Sequence, residues 1–387
     1  MKPKITIILT MVWLLPSCSL DINDDPNNPT TAELFELLPA AEVSLIGPFS
    51  DLVNAITSSA VQTRVSTRHD NFTVDRSTVD LLWTQDLYSG GLKDLEEIIA
   101  LGTETENFHY TGIAKIFKAY IFSMMVDVWD DLPFTDAFQP SLDQIQYDDG
   151  AQIYEQLFVL IDEGIADLDK PSSLSPGADD LIYNGDLEKW KKMGETLKMK
   201  MLIQIRLVDT SVGNRIQQII DAGNYITSPA EDFQFHFNSS SAPENRMPLF
   251  VSDYVFKIDN RISTYFHGLL DDNSDPRIPY YFFNQTPGTF VGRDSGNPEG
   301  LATFEDQNTR TFHGVYPAGG KFDDGNGGVV DQSSGLQGAG TFRMITNAMR
   351  LFMEAEAVLE LGVTGSAPLE TLFTAGITEA MGKVNEI

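Results

Sequence analysis

Residues 112–134 read GIAKIFKAYIFSMMVDVWDDLPF and contain the clearest periodic pattern of the chain. Large apolar residues recur there at spacings of three and four, at Phe117, Tyr120, Ile121, Met124 and Val128. This spacing places them on one face of an α-helix. The following Asp-Asp-Leu-Pro ends the helix, because proline cannot continue it. The stretch therefore predicts a long helix with one apolar face and a sharp stop.

Similar patterns lie on both sides of this stretch. Further helices are predicted over 152–168, 186–208, 346–361 and 368–384. Asp148 and Asp149 are candidate N-caps of the first of these helices, and Asp186 is the candidate N-cap of the second. The helix pairs have similar lengths without a strict sequence period, so degenerate helical repeats are expected, while a continuous solenoid stays open.

The part between these helices reads differently. In residues 224–340, Gly, Pro, Asn, Ser and aromatic residues are scattered, and the apolar residues show no helical period. Residues 233–237 (FQFHF) alternate and predict one short strand, whereas 279–337 are expected to be irregular. We therefore expect a mainly α fold that is helical over 33–223, loop-rich over 224–340 and helical again over 341–385.

The N-terminus carries a targeting signal. Lys2 and Lys4 precede an apolar run over 5–15, and Leu-Pro-Ser-Cys18 follows. The run is too short to span a membrane, and its small-then-Cys ending resembles the lipobox of bacterial lipoproteins. Residues 1–17 are thus expected to be a signal peptide, Cys18 to be lipidated, and the polar residues up to 31 to form a tether. The folded domain is expected over 32–387.

Composition and motifs exclude several functions. The chain has 56 acidic and 26 basic residues, a formal net charge of −30. That charge argues against nucleic acid as a partner, because nucleic-acid binding needs clustered Lys and Arg. The five histidines have no metal-ligand spacing, and no serine sits in a nucleophile motif. Two acidic turns, 24–27 and 323–326, suit turn chemistry better than calcium. We expect no catalytic residue, no metal and no cofactor.

Several motifs match one family in order along the chain. Residues 20–30 (LDINDDPNNPT) contain the pattern D-I-N-x-x-P-N-x-P, and 114–120 with 127–134 resemble A-K-x-x-x-A-Y … D-x-W-G-D-x-P-Y. The other matching segments are 37–40, Trp83 with Tyr88, 147–148, 153–154, 185–186, 189–192, 275–277 and 355–357. The chain resembles SusD/RagB-like nutrient-binding outer-membrane lipoproteins, in the branch with this D-I-N start.

The resemblance implies a fold and a function. It implies a helical scaffold of tetratricopeptide-like pairs, lipid-anchored and surface-exposed on the outer membrane. Such a protein captures oligosaccharide and delivers it to a SusC-like TonB-dependent transporter as a binding lid, without bond chemistry. Peptide binding on the same scaffold, a surface glycoside hydrolase and a helical adaptor without a small ligand stay open as alternatives. Hydrolysis needs two carboxylates across one cleft, which the sequence does not place.

The chain also departs from the family pattern. Asp130 stands where the W-G-D motif has glycine, Glu195 stands where asparagine is common, and Met349 replaces a frequent glutamate. Family members commonly continue well past the last helix predicted here, so the C-terminus is expected to be short.

A glycan site needs exposed aromatic rings beside polar side chains. The aromatic-rich region after Asp253 fits best, and its candidate ligand contacts are Tyr254, Arg261, Tyr280, Tyr281 and Asn284. The alternative is that 280–283 is a buried segment. The tryptophans at 83, 129 and 190 are expected in the core, and Asp275 with Arg277 is expected to form a structural ion pair.

Five lysines share one predicted helix of this acidic chain, at 189, 191, 192, 198 and 200. They are interpreted as a solvated face balanced by nearby acids. The alternative is that they meet an acidic transporter rim or an anionic glycan.

Overall fold

A computed structural model describes residues 32–66, 77–139, 144–257, 260–294, 306–326 and 335–386. The main helices are α1 (Leu34–Pro48), α2 (Asn54–Ala60), α3 (Ser77–Leu81), α4 (Leu92–Glu104), α5 (Phe108–Trp129), α6 (Gly150–Leu168), α7 (Leu187–Ile205) and α8 (Val212–Ala222). Short helices follow as α9 (Pro248–Phe250), α10 (Thr264–Asp272), α11 (Ile278–Tyr281) and α12 (Val315–Ala318), and then α13 (Asn347–Leu361) and α14 (Leu369–Gly382). The mainly α fold is confirmed. Cys18 and the predicted signal peptide and tether lie outside the described residues.

Helix α5, predicted from the 112–134 stretch, is the centre of the fold. It is buried on most of its surface, including Thr111, Ser123 and Ala119, which lie off the apolar stripe. The reason is that α4, α6 and α7 all pack against it. The one-faced pattern therefore underestimates its burial, and the helix begins at Phe108, before the predicted start.

Helices α5 and α6 cross at two glycines. A Cβ atom added to Gly112 would lie 2.7 Å from the carbonyl oxygen of Gly164, and one added to Gly164 would lie 2.9 Å from that of Gly112. The two backbones thus touch directly, which side chains at either position would prevent.

The predicted helix starts are confirmed by their hydrogen bonds. The carboxylate of Asp149 accepts from the Gln152 N–H at 3.2 Å, and that of Asp186 accepts from the Lys189 N–H at 3.2 Å. Each satisfies a donor that the first helical turn leaves unpaired. Asp148, the other candidate cap, binds the preceding loop instead. Helix α7 ends at Ile205, three residues before the predicted end.

The strands form three antiparallel pairs. They are β1 (Arg64–Ser66) with β3 (Asn260–Ile262), β2 (Phe233–His236) with β6 (Thr341–Ile345), and β4 (Phe282–Asn284) with β5 (Thr311–His313). Strand β2 confirms the predicted strand. The irregular stretch predicted over 279–337 is wrong where α11, β4, β5 and α12 form. These segments have three or four residues each, too few for a readable period.

One core joins the helices to the strands. Trp190 is fully buried and meets Phe117, Tyr183 and Phe233 edge-on, with centroid distances of 6.4, 5.4 and 5.7 Å. A smaller cluster holds α13 against α14 through Leu351, Ala355 and Leu372. Among the described residues, no helix has the length and apolarity that crossing a membrane requires.

Candidate functional site

Tyr254, the first predicted ligand contact, is part of the packing. It lies in a π-helical turn, Val251–Phe256, and stacks on Phe250 at 4.9 Å. Its hydroxyl donates to the His313 carbonyl at 2.8 Å and accepts from the Lys321 N–H at 3.2 Å. Burial raises the pKa of Tyr254 well above its ordinary value. Its ring and hydroxyl are therefore committed to neighbours within the protein.

The other predicted contacts gather around the β4–β5 pair. Tyr280 meets Phe322 at 4.8 Å and Tyr281 meets Tyr316 at 5.1 Å, while the Asn284 side chain accepts from the Thr311 hydroxyl at 2.7 Å. Both tyrosines are half-buried. The structure brings these three together with Tyr254, mainly as packing.

The remaining predicted contact of this region is Arg261. Arg261 pairs by its backbone with Val65, and its side chain is outside the described part. Phe282 and Phe283 are buried, as the alternative interpretation of 280–283 expects. A role of the five predicted residues in ligand binding stays a prediction.

The Asp275–Arg277 ion pair is confirmed. The Arg277 guanidinium donates to both carboxylate oxygens of Asp275, at 3.0 and 2.7 Å. The pair closes the short turn before α11.

The lysines of α7 pair with acids on neighbouring segments. Lys198 meets Asp162 of α6 at 2.6 Å, and Lys200 meets Asp127 of α5 at 3.1 Å. Lys191 and Lys192 have carboxylate partners as well, and Lys189 lies over the Tyr183 ring. This arrangement favours the balanced face over a surface that awaits an acidic partner.

An exposed cluster of aromatic rings offers a better binding surface. We call Trp83, Trp129 and Tyr147 the aromatic platform. The Trp83 ring lies 5.3 Å from that of Trp129, edge-on, and 6.5 Å from that of Tyr147, at an interplanar angle of 22°. The side chain of Tyr147 is 65% exposed, and both tryptophans are half-buried against the core. The platform therefore combines two rings packed against the core with one largely exposed ring, that of Tyr147.

The backbone that carries Tyr147 is pinned by a short bridge. Leu132 and Asp148 exchange backbone hydrogen bonds of 3.1 and 2.8 Å. The Asp148 carboxylate accepts from the N–H groups of Thr135 and Phe134, at 2.8 and 3.0 Å. Burial alone would raise the pKa of Asp148, but these hydrogen bonds outweigh it and hold the pKa below its ordinary value. Tyr147 is thereby held beside Trp83.

The two tryptophans are positioned by helix ends. Helix α5 stops at Trp129 because Asp130 adopts φ = +65°, a conformation that glycine adopts more easily. This explains why the family motif has glycine at position 130. Trp83 is the second residue of a π-helical segment, Leu82–Gly91, in which the Tyr88 hydroxyl donates to the Pro133 carbonyl at 2.7 Å. The segment is thus tied to the loop after α5.

The surroundings of the platform are polar. Gln144, Gln146, Asp130 and Asp131 are exposed near it in sequence, and a backbone N–H donates to Asp131 at 3.0 Å. Open aromatic faces beside amides and carboxylates can stack on sugar C–H groups and bond to sugar hydroxyls. Within the described ranges, no cluster of three His, Cys, Asp or Glu residues is placed to hold a metal ion.

The sequence interpretation missed this surface in part. Trp190 is in the core as expected, whereas Trp83 and Trp129 are only partly buried and pack against the core. Tyr147 had no periodic signal, and only its place beside Asp148 in a family motif marked it.

The fold defines a mainly α-helical scaffold protein, and the comparisons give its family. A family model described as "Starch-binding associating with outer membrane" matches residues 26–386. The chain belongs to this SusD-like family, as its motifs predicted. The family description names starch binding and association with the outer membrane, which places the chain in a family of carbohydrate-binding proteins. The D-I-N branch stays a prediction.

Solved structures of SusD homologues share the fold. One from Bacteroides uniformis ATCC 8492 is 17% identical with a TM-score of 0.72, and covers 91% of this chain and 71% of its own. A chitin-binding SusD homologue from Flavobacterium johnsoniae is 16% identical with the same TM-score and the same two coverages. A SusD/RagB family protein from Bacteroides thetaiotaomicron is 19% identical, with a TM-score of 0.71 and coverages of 92% and 74%. Among curated proteins, no relative matches the sequence.

Proposed function

We propose that this protein is a surface lipoprotein that captures oligosaccharide and delivers it to a SusC-like TonB-dependent transporter. It acts as a binding lid and makes or breaks no bonds. The observation that carries the proposal is the aromatic platform, in which the exposed Tyr147 lies beside the half-buried Trp83 and Trp129, on the scaffold of a family described as starch-binding. Cys18 would hold the protein at the outer membrane.

The platform suits a sugar chain for physical reasons. A pyranose ring presents apolar C–H groups on its faces, and an aromatic ring can cover such a face. Tyr147 and Trp83 are close to parallel, while Trp129 stands edge-on. Successive sugar units can therefore meet differently oriented rings.

The test uses the soluble protein from Ser19 onward, titrated with starch and chitin oligosaccharides in a calorimeter. We expect binding, weakened about tenfold or more by Tyr147→Ala, as for an anchor at the centre of a contact. Tyr265→Ala is the matched control, because Tyr265 is 62% exposed and lies on α10, away from the platform in sequence. Circular dichroism checks that both variants fold.

Other outcomes would replace the proposal. Binding of peptides without binding of oligosaccharides would favour the peptide-binding alternative. Release of shorter sugars from an oligosaccharide by the pure protein would favour a hydrolase. Equal oligosaccharide affinity in the wild type and Tyr147→Ala would remove the platform from the site.

The delivery step has its own test. The full chain, expressed with a SusC-like transporter, is expected to copurify with it from outer membranes. Cys18→Ser should release the protein from the membrane fraction, because acyl chains supply the anchor. A membrane-bound Cys18→Ser protein would contradict the lipid anchor.

A further inference from the structure

The stretch that carries two rings of the aromatic platform is acidic and has no basic residue. Residues 127–150, which include Trp129 and Tyr147, contain seven aspartates and no Lys, Arg or His. Two lysines that contact this stretch are already paired. Lys200 meets Asp127 at 3.1 Å, and Lys118, over the Phe134 ring, is paired with Glu96. The surroundings of Trp129 and Tyr147 therefore carry an excess of carboxylates.

Most of the described aspartates in this stretch are bound within the protein. Those that accept hydrogen bonds from neighbouring groups are Asp127, Asp131, Asp136, Asp148 and Asp149. Asp130 differs from them, because its carboxylate has no hydrogen bond or ion pair with any other described residue. Asp130 is also exposed. Its charge is therefore available to a bound molecule.

Asp130 lies where the backbones that carry Trp129 and Tyr147 come together. It follows Trp129 directly, and Gly150 lies three residues after Tyr147. A Cβ atom added to Gly150 would lie 2.7 Å from Asp130 Oδ1. The free carboxylate is thus placed at the junction of the two segments that hold these rings.

The backbone at Asp130 is one that suits glycine. Its φ of +65° and ψ of −101° are strained for a residue with a side chain. No hydrogen bond to the carboxylate compensates for this strain. The negative charge does favour the start of α6, where the helix dipole is positive. The effect of removing the charge must therefore be measured on stability as well as on binding.

Aromatic rings beside a free carboxylate suit a ligand that carries a positive charge. A cation is attracted to the face of an aromatic ring within about 6 Å, and an ammonium group forms a charge-assisted hydrogen bond with a carboxylate. Among sugars, this charge occurs on amino sugars with a free amine, such as glucosamine. Uronic acids and sulfated sugars carry the opposite charge and would be repelled.

We propose that the aromatic platform selects oligosaccharides that contain protonated amino sugars, an inference that rests on the proposed role of the platform in glycan capture. The rings cover the C–H face of a sugar unit, and the Asp130 carboxylate accepts a hydrogen bond from its ammonium group. Asp130 is thus a specificity-determining residue of the site.

The test compares two chitin-derived chains of equal length in a calorimeter, one N-acetylated and one fully deacetylated. They differ only at the nitrogen on C2, which is a neutral amide in the first and an ammonium group in the second. With the soluble protein from Ser19 onward, we expect the deacetylated chain to bind about tenfold more tightly, as for a charge-assisted hydrogen bond. An oligogalacturonate should bind more weakly than either. Added salt should reduce the preference, because it screens exposed charges.

Variants locate the preference at Asp130. Asp130→Asn keeps the size of the side chain and removes its charge, so the affinities for the two chitin-derived chains should come within about twofold of each other. Asp272→Asn is the matched control, because Asp272 is an exposed aspartate at the end of α10 and its loss changes the net charge equally. It should keep the tenfold preference. Asp130→Gly suits the backbone and serves if Asp130→Asn unfolds, which urea unfolding checks.

Several results would overturn this selectivity. Equal affinity of the wild type for both chains would remove it and leave the proposed glycan function standing. A preference that survives in Asp130→Asn would exclude Asp130 as its source. An equal loss of preference in Asp130→Asn and Asp272→Asn would assign it to the net charge of −30.

The class of ligand has its own control. A lysine peptide with the same charge as the deacetylated chain should bind more weakly than that chain, because it lacks the sugar faces that the rings cover. A peptide that binds as tightly would assign the site to basic peptides. Failure of every oligosaccharide to bind, starch included, would contradict the proposed function itself.

Discussion

At the residue scale, a buried glutamate of α1 contacts the loop before α7. Glu42 has no exposed surface and accepts from the Leu181 N–H at 2.8 Å. Its acidic neighbour Asp180 accepts four hydrogen bonds, among them one of 2.8 Å from the Trp190 indole. Burial first, and the charge of Asp180 second, raise the pKa of Glu42 well above its ordinary value of 4.5. A proton on Glu42 removes the repulsion between the two groups.

This raised pKa predicts a pH dependence. A carboxyl whose pKa is higher in the folded state contributes stability that is complete below the unfolded-state pKa and is lost as pH rises through the folded-state pKa. We therefore expect Glu42→Gln, which stays neutral, to gain free energy of unfolding relative to the wild type as pH rises above about 5. Urea unfolding across this range measures the difference.

The control for this prediction is Glu97→Gln, at an exposed glutamate of α4. This variant shows what the loss of an exposed carboxylate does to the free energy of unfolding under the same conditions. A difference between Glu42→Gln and the wild type that does not change with pH would contradict a raised pKa of Glu42 in the folded protein.

At the element scale, the α5–α6 crossing depends on the absence of two side chains. A Cβ atom at Gly112 would meet both the Gly164 carbonyl and the Leu168 side chain, at 2.7 and 2.6 Å. Contacts below 3 Å with backbone require the helices to separate. Separation weakens the packing between α5 and α6. These two helices make the most extensive helix–helix contact among the described residues.

Gly112→Ala is therefore expected to destabilise the protein by about 1–3 kcal/mol, in the range of overpacked cores. Thermal and urea unfolding measure the loss. Gly268→Ala is the control, because Gly268 lies in α10 and a Cβ there meets nothing within 4 Å. Alanine at that position should stabilise by up to about 1 kcal/mol, through its helix propensity. Similar effects of both changes would contradict the close crossing.

At the scale of the whole molecule, one buried ion pair connects the C-terminal segment to the loop-rich part. Lys383 follows α14 and is paired with Asp232, which precedes β2, and both side chains are buried. Asp232 also accepts from the Asn347 N–H at 2.8 Å, at the start of α13. Three segments far apart in sequence thus meet at one carboxylate.

Lys383→Met should cost about 3–5 kcal/mol of unfolding free energy, because it leaves the Asp232 charge buried without a cation. The double variant Lys383→Met, Asp232→Asn should recover most of that loss, since the amide can still accept from Asn347. Urea unfolding of both variants tests this. A double variant as unstable as the single one would show that packing, rather than charge, makes Lys383 important.

Local features of the fold could be read from the sequence. The helices α5, α6, α7, α13 and α14 follow from apolar spacing, and the caps Asp149 and Asp186 follow from hydrogen bonds that span three residues. The family followed from motifs that appear in order. Short elements such as β4 and β5 could not be read, because three residues hold no period and the pairing partner is distant in sequence.

The sequence by itself determined the helical scaffold, the starts of α6 and α7 and the family, because these depend on residues near one another in the chain. Only the tertiary structure decided which aromatic residues face solvent. Tyr254 was predicted to bind ligand and is packed on Phe250, while Tyr147 is open beside Trp83. Both are tyrosines outside the long α-helices. Their exposure depends on which distant elements cover them, and that is settled only when the helices and loops pack together.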